Sequence, residues 1–217
     1  MLTDIHSHNY LLKPTYNKVL SLQLHPNTEV AGELHSMTSE VFVSAGVHPW
    51  HASEWSSENM PLLNVLLQSS QIAFIGEIGL DNSCGVPLEK QLFVFEYQLM
   101  IANSSCKSVL IHNVGHQAEL LAIKKRYQRI PIWILHGFRG KAQLAEQYLR
   151  KDFYLSFGSN YHVEALRACP IDRLFIETDD SDVDLRTLYQ KVAEDLGVSE
   201  EKLETSISKN FDNLGIK

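Results

Sequence analysis

The sequence predicts an α/β fold, a compact (β/α)8 TIM-type barrel with its first helix shortened or missing. Three observations lead there. Eight short apolar runs recur along the chain, most are continuous rather than alternating, and helical patterns fall between them. A continuous apolar run marks a strand covered on both faces, as in a parallel sheet wrapped by helices. Such barrels typically take about 250 residues, with roughly 200 near the lower limit, and this chain has 217. An open doubly wound sheet is the runner-up and would place functional residues at the same strand ends.

Taken in order, the strand candidates are residues 2–6, 18–22, 41–47, 73–76, 109–112, 132–136, 153–157 and 174–177. The spacing of Met60, Leu63, Leu66 and Leu67 predicts a helix over 59–69. Leu92, Phe95, Leu99 and Ala102 predict another over 88–102, and the same period recurs over 117–126, 141–149 and 184–196. A last helix over 200–213 closes one end. Only residues 7–17 separate the first two strands, and that segment holds Pro14 and no helical period, so the missing helix has its address there. No repeat, low-complexity tract or linker breaks the chain, and 1–217 is expected to be a single domain.

Composition narrows the class. With 44% hydrophobic and 21% charged residues the chain is globular rather than disordered. Its formal charge of −7 gives no bulk attraction for polyanions. The start lacks the basic and apolar segments of a signal peptide, and no stretch nears the roughly 20 apolar residues that span a bilayer, so no membrane role is expected. Cys84, Cys106 and Cys169 are odd in number and form no CxxC pair, which favours a reducing, cytoplasmic setting over a disulfide framework. Ten histidines are a heavy load for this length.

Five of those histidines sit at strand ends. Asp4-Ile5-His6-Ser7-His8 ends the first run, and residues two apart on a strand share a face, so His6 and His8 can aim two imidazoles at one point. Gly46-Val47-His48-Pro49 closes the third run and Gly76-Glu77-Ile78-Gly79-Leu80-Asp81 the fourth. His112 and His136 close the fifth and sixth, and Glu177-Thr178-Asp179 follows the eighth. In a parallel barrel the strand C-termini share one face, where active sites lie. His6, His8, Glu77, His112, His136 and Asp179 are therefore candidate metal ligands. Six nitrogen and oxygen donors exceed what one tetrahedral zinc needs, so two divalent ions bridged by Glu77 fit better. Imidazole and carboxylate together admit Zn, Mn, Fe or Mg. The matching chemistry is hydrolysis.

In this order, the motifs Asp4-x-His6-x-His8, Gly46-x-His48-Pro49, Gly76-Glu77-Ile78-Gly79-Leu80-Asp81, His112, His136-Gly137-Phe138-x-Gly140 and Glu177-Thr178-Asp179 resemble those of the TatD family. That family comprises metal-dependent hydrolases of the amidohydrolase-like barrel superfamily, many of them described as deoxyribonucleases. Asn210-Phe211 resembles its closing motif. The resemblance implies that His6, His8, Glu77 and Asp179 hold one ion and that Glu77, His112 and His136 hold the other. It makes Asp179 and Glu77 the catalytic carboxylates, with Asp179 taking the proton from the attacking water. Asp4 and Glu177 would support the ligands, and His48 would contact substrate or shape a turn. Trp50, His51 and Trp55 form either an aromatic wall for a base or a loop's own small core.

The match departs in two further places. Asn113-Val114-Gly115 follows His112, and Asn82-Ser83-Cys84-Gly85 follows the GLD motif, where the family often carries groups able to hold a phosphate. Arg139 is the nearest replacement. Asp180 and Asp182 are expected to cap the helix that follows, while His25, His35, His116 and His162 match no motif and receive no role. The expected activity is two-metal cleavage of phosphodiester bonds in DNA ends or a small nucleotide-like substrate. The alternatives are an amidohydrolase acting on a small amide or ester, and a non-catalytic metal-binding barrel. A monomer is expected, with no protein partner inferred.

Overall fold

The computed structural model describes residues 1–9, 16–26 and 41–215. Eight strands form one sheet in chain order, paired in parallel. They are β1 (Thr3–Ser7), β2 (Asn17–Gln23), β3 (Phe42–Gly46), β4 (Ile72–Asp81), β5 (Val109–Val114), β6 (Trp133–Leu135), β7 (Phe153–Phe157) and β8 (Leu174–Ile176). Among the described residues the helices are α1 (Met60–Leu67), α2 (Leu88–Ser105), α3 (Gln117–Lys124), α4 (Ala142–Leu149), α5 (Val163–Ala168), α6 (Leu185–Leu196) and α7 (Glu200–Asp212). Short 3-10 helices cover Pro49–Glu54 and Ile171–Arg173.

Each strand expected from an apolar run is present, because a run covered on both faces leaves no competing polar face. The fourth is longer than expected. Ile72–Asp81 carries the strand through Glu77 and two glycines, since pairing with β5 continues from Ile78↔Ile111 to Asp81↔Val114. Gly79 makes this possible. Its φ is +153°, and a Cβ there would lie 1.8 Å from the His112 carbonyl oxygen. The backbone of β5 therefore comes close enough to set His112 beside the Glu77 strand. Residues 163–168 form α5, a six-residue helix too short to show a period, and the presumed loop after His48-Pro49 is a 3-10 helix. The segment expected to lack the first helix, residues 7–17, lies in part (10–15) outside the described residues, as do Pro14 and His35.

Contacts divide the chain into two compact units, Met1–Leu20 with Ile134–Lys217, and Ser21–Trp133. In the first, a parallel bridge joins Ser7 to Asp179, setting β1 beside the segment after β8. Tyr189 on α6 accepts from the Thr3 amide at 3.1 Å and donates to the Thr3 carbonyl at 2.9 Å, which fixes the start of β1. Asn210 on α7 donates to the carbonyls of Ile171 and Leu174 at 2.8 and 2.9 Å and so ties the last helix to the start of β8. That gives the Asn210-Phe211 motif its physical reason.

In the second unit, two buried glutamines of α2 hold strand ends. Gln98 accepts from the Val47 amide at 2.7 Å and donates to the Val47 carbonyl at 3.2 Å. Gln91 accepts from the Asp81 amide at 2.7 Å and donates to the Asp81 carbonyl at 2.9 Å. Seven residues apart, they occupy one face of the helix. That face was expected to be apolar through Leu92, yet Gln91 is the residue buried there, because exposed strand-end backbone groups need partners.

Candidate metal centre

Three strand ends of the first unit bring His6, His136 and Asp179 together, with one ligand atom from each lying within 4.8 Å of the others. The His6 and His136 rings are 4.3 Å apart between centroids, and the His6 and His8 rings 4.9 Å. Asp179 Oδ1 faces both His6 Nε2, at 3.6 Å, and His8 Nε2, at 3.7 Å. This carboxylate is held by backbone on both sides. The Asp179 amide donates to the His6 carbonyl, and the His8 amide to the Asp179 carbonyl, each at 3.0 Å. Asp179 takes a φ of +55°, a left-handed conformation uncommon outside glycine and enriched at functional positions.

Below these groups lie the supporting carboxylates. Glu177 is fully buried, and its Oε1 accepts from the Gly137 amide at 2.6 Å while lying 3.4 Å from His136 Nδ1. A carboxylate behind a ligating imidazole fixes its tautomer and orientation. Asp4, also fully buried, accepts from Thr178 N at 3.0 Å and Thr178 Oγ1 at 2.8 Å. Burial pushes the Asp4 carboxyl up to about 6, opposed by its Thr178 hydrogen bonds and the Lys18 charge. A small cavity beside this group is lined by Arg139, Gly158, Asn160, Glu177 and Asp179. The exposed Arg139 is thus placed at its rim. Asp184, rather than Asp180 or Asp182, caps α6, accepting from the Thr187 amide at 2.9 Å, because the helix starts later than the acidic run.

The second unit gathers His48, Glu77 and His112, again with ligand atoms within 4.8 Å of one another. Glu77 Oε1 lies 2.9 Å from His112 Nδ1 and 3.3 Å from His48 Nε2. His48 also shapes its turn: its Nδ1 accepts from the Trp50 amide at 3.3 Å and caps the 3-10 helix. Of the presumed aromatic wall, Trp55 is fully buried and belongs to the core, whereas Trp50 is 55% exposed. Trp50 Nε1 donates to Asp81 Oδ2 at 2.8 Å, and the same oxygen lies 2.9 Å from His112 Nε2.

Asp81 is the residue that sequence reasoning passed over. It was visible in the GLD motif, four positions after Glu77 and on the same strand face. Burial would raise its carboxyl, but hydrogen bonds from Ser83, Trp50 and His112 outweigh that and hold it well below the usual carboxylate range. It remains an anion that orients His112. Gln91 and Gln98 were also missed, since buried glutamines leave no periodic signal.

Both donor sets suit a divalent transition metal: neutral imidazoles and carboxylates gathered from separate strand ends, with a buried carboxylate behind His136 and an anionic one behind His112. His6, His8, His136 and Asp179 would hold metal in the first unit. Glu77 and His112, with His48 added by the geometry, would do so in the second.

A model of the TatD-related DNase family matches residues 13–214. Among curated relatives, a 3'-5' ssDNA/RNA exonuclease TatD of Erwinia tasmaniensis is 33% identical over 147 residues, covering 63% of this chain and 56% of that protein. An uncharacterised metal-dependent hydrolase of Bacillus subtilis is 30% identical over 148 residues, covering 64% and 58%. The chain thus spans less than two thirds of the length of these relatives. Two solved structures superpose with a TM-score of 0.81 each. One is a TatD homologue of Escherichia coli at 18% identity, covering 91% of this chain and 85% of that one. The other is a TatD family hydrolase of Entamoeba histolytica at 15%, covering 98% and 97%. At these identities they show the fold, the (β/α)8 barrel.

Proposed function

Because the chain belongs to the TatD-related DNase family, we propose that it is a metal-dependent hydrolase of phosphodiester bonds, working as one domain over 1–217. Its substrates are ends of single-stranded DNA or RNA, or smaller nucleotide-like esters. The observation that carries the reading is the convergence of His6, His136 and Asp179 from three strand ends, with Asp179 held in a left-handed conformation. The relative named a 3'-5' ssDNA/RNA exonuclease supports the substrate class.

When bound, two divalent ions supply Lewis-acid stabilisation of the charge that develops on the phosphoryl oxygens. The chain's own residues do the rest. Asp179 accepts the proton of the attacking water at a carboxylate oxygen. Glu177 and Asp81 keep His136 and His112 in the orientation needed to ligate, and Glu77 would hold metal together with His48 and His112. Arg139 replaces the phosphate-holding groups missing after His112 and steadies the substrate. The exposed face of Trp50 offers a surface on which a base can stack.

A substrate panel tests this. Single-stranded DNA and RNA oligonucleotides and a phosphodiester model ester are compared with amides and carboxylic esters, with zinc, manganese and magnesium each supplied in turn. Turnover confined to the phosphodiesters, abolished by chelation, supports the proposal. Turnover confined to amides or carboxylic esters replaces it with the amidohydrolase reading. Full metal loading with no turnover replaces it with a non-catalytic metal-binding protein.

A further inference from the structure

His25, His51 and Glu54 form a second kind of histidine cluster inside the unit Ser21–Trp133. His25 Nδ1 lies 2.7 Å from Glu54 Oε2, and His51 Nδ1 lies 2.8 Å from Glu54 Oε1. The two imidazole rings are 4.4 Å apart between centroids. One nitrogen from each histidine and one carboxylate oxygen fall within 4.8 Å of one another. None of the three belongs to the motifs that carry the hydrolase resemblance.

Local structure explains the convergence. His51 and Glu54 are three residues apart on the 3-10 helix Pro49–Glu54, and that helix repeats every three residues, so their side chains stand in one row. His25 reaches the same row from just beyond β2, two residues after Gln23. The three side chains are 39%, 31% and 40% exposed, which leaves one side open to water. Burial would raise the Glu54 carboxyl, but hydrogen bonds from the two histidines hold it below its ordinary value, so it is an anion at neutral pH.

We propose that His25, His51 and Glu54 form a peripheral binding site for a zinc-class transition metal ion. Two imidazole nitrogens and one carboxylate oxygen are a three-ligand set found in zinc sites whose fourth position is left to water. Imidazole ligands select zinc, cobalt, nickel or copper over magnesium and calcium. A tetrahedral zinc with bonds of about 2.0–2.1 Å needs ligand atoms roughly 3.3 Å apart. Half-exposed side chains reach that spacing by rotating about their own bonds. The ion would clip the 3-10 helix to the end of β2. Because that helix is capped by His48 and carries Trp50, occupancy would stiffen the segment that presents both.

The test uses the full chain, freed of metal by a chelator and then titrated with Zn2+. Bound zinc is counted by elemental analysis after gel filtration, for the unaltered protein, His51→Ala and Glu54→Gln. Each variant should bind one zinc fewer per chain, with an unchanged circular dichroism spectrum. A Glu77→Ala protein should still bind zinc at this cluster, which separates the proposal from the hydrolase reading. Equal zinc counts in the unaltered protein, His51→Ala and Glu54→Gln would overturn it. Zinc-soaked crystals of the unaltered protein give a measurement that needs no variant. An anomalous peak among His25, His51 and Glu54 supports the site, and its absence at saturating zinc overturns it.

Discussion

Thr178 gives both its amide and its hydroxyl to Asp4, N to Oδ1 at 3.0 Å and Oγ1 to Oδ2 at 2.8 Å. The pair bolts β1 to the segment after β8, one residue before Asp179 and two before His6. The Asp4 of the DxHxH motif is thus the brace that sets the strand ends carrying His6 and Asp179 at a fixed distance.

That brace has a pH signature. The Asp4 carboxyl is pushed up to about 6 in the fold from an ordinary value of 3.8. The folded state therefore holds its proton more tightly than the unfolded chain does. The associated stability is fully present below the unfolded value and is lost as pH rises through about 6. Asp4→Asn should flatten that slope. The amide can donate to Thr178 Oγ1, whose own proton can turn to Ser7 Oγ at 3.1 Å. Urea unfolding of chelated protein between pH 4 and 7 measures it; the same slope in both proteins would refute the assignment. Asp4→Ala, which orphans the Thr178 donors, should cost about 1–3 kcal/mol.

Asp179→Asn should fold and lose turnover. Asparagine tolerates the left-handed conformation that Asp179 adopts, at φ +55°, but its amide accepts no proton. The expected fall in kcat is roughly 10²–10⁴-fold, the usual weight of a general base. Asp179→Val should in addition lower the melting temperature, because a β-branched residue is strained there. A kcat for Asp179→Asn within a few-fold of the parent would remove Asp179 from the role of base.

Asp81→Ala should weaken metal binding by about 10–100-fold, the usual effect of removing a partner behind a ligand. It removes the Asp81 contacts to His112 Nε2 and Trp50 Nε1 together. Trp50→Phe removes only the second contact and should leave metal affinity within a few-fold. Competition with a chromophoric chelator compares the two variants, and equal affinities would show that Asp81 does not act through His112.

The cysteines should differ sharply in reactivity. Burial pushes the Cys169 thiol well above its ordinary value, whereas Cys106 is exposed at the end of α2. A thiol reagent at pH 8 should modify Cys106 within minutes and reach Cys169 only on unfolding. Mass spectrometry of the labelled peptides decides it.

Much of the candidate site was legible because strands buried on both faces announce themselves as apolar runs, and polar residues at their ends then stand out. His6, His8, Glu77, His112, His136 and Asp179 were all visible this way. What lay hidden has one physical cause. A buried polar group is recognised by its partner, and partners such as Asp81 with His112, or Gln98 with Val47, are distant in sequence. Asp180 and Asp182 were expected to cap α6 for the converse reason, since an acidic run alone does not say which oxygen meets the first free amide.

By itself the sequence determined the alternation of strands and helices, the family, and the order of the candidate-site motifs. These rest on local pattern: period, apolar runs and residues two apart on a strand. Only the tertiary structure decided that β4 runs on through Glu77 to Asp81, that His48 faces Glu77 while capping its own turn, and that His25 meets His51 and Glu54. These depend on backbones approaching closely, as Gly79 allows for β5, and on hydrogen-bond partners drawn from different elements. No periodicity in one segment encodes a partner in another.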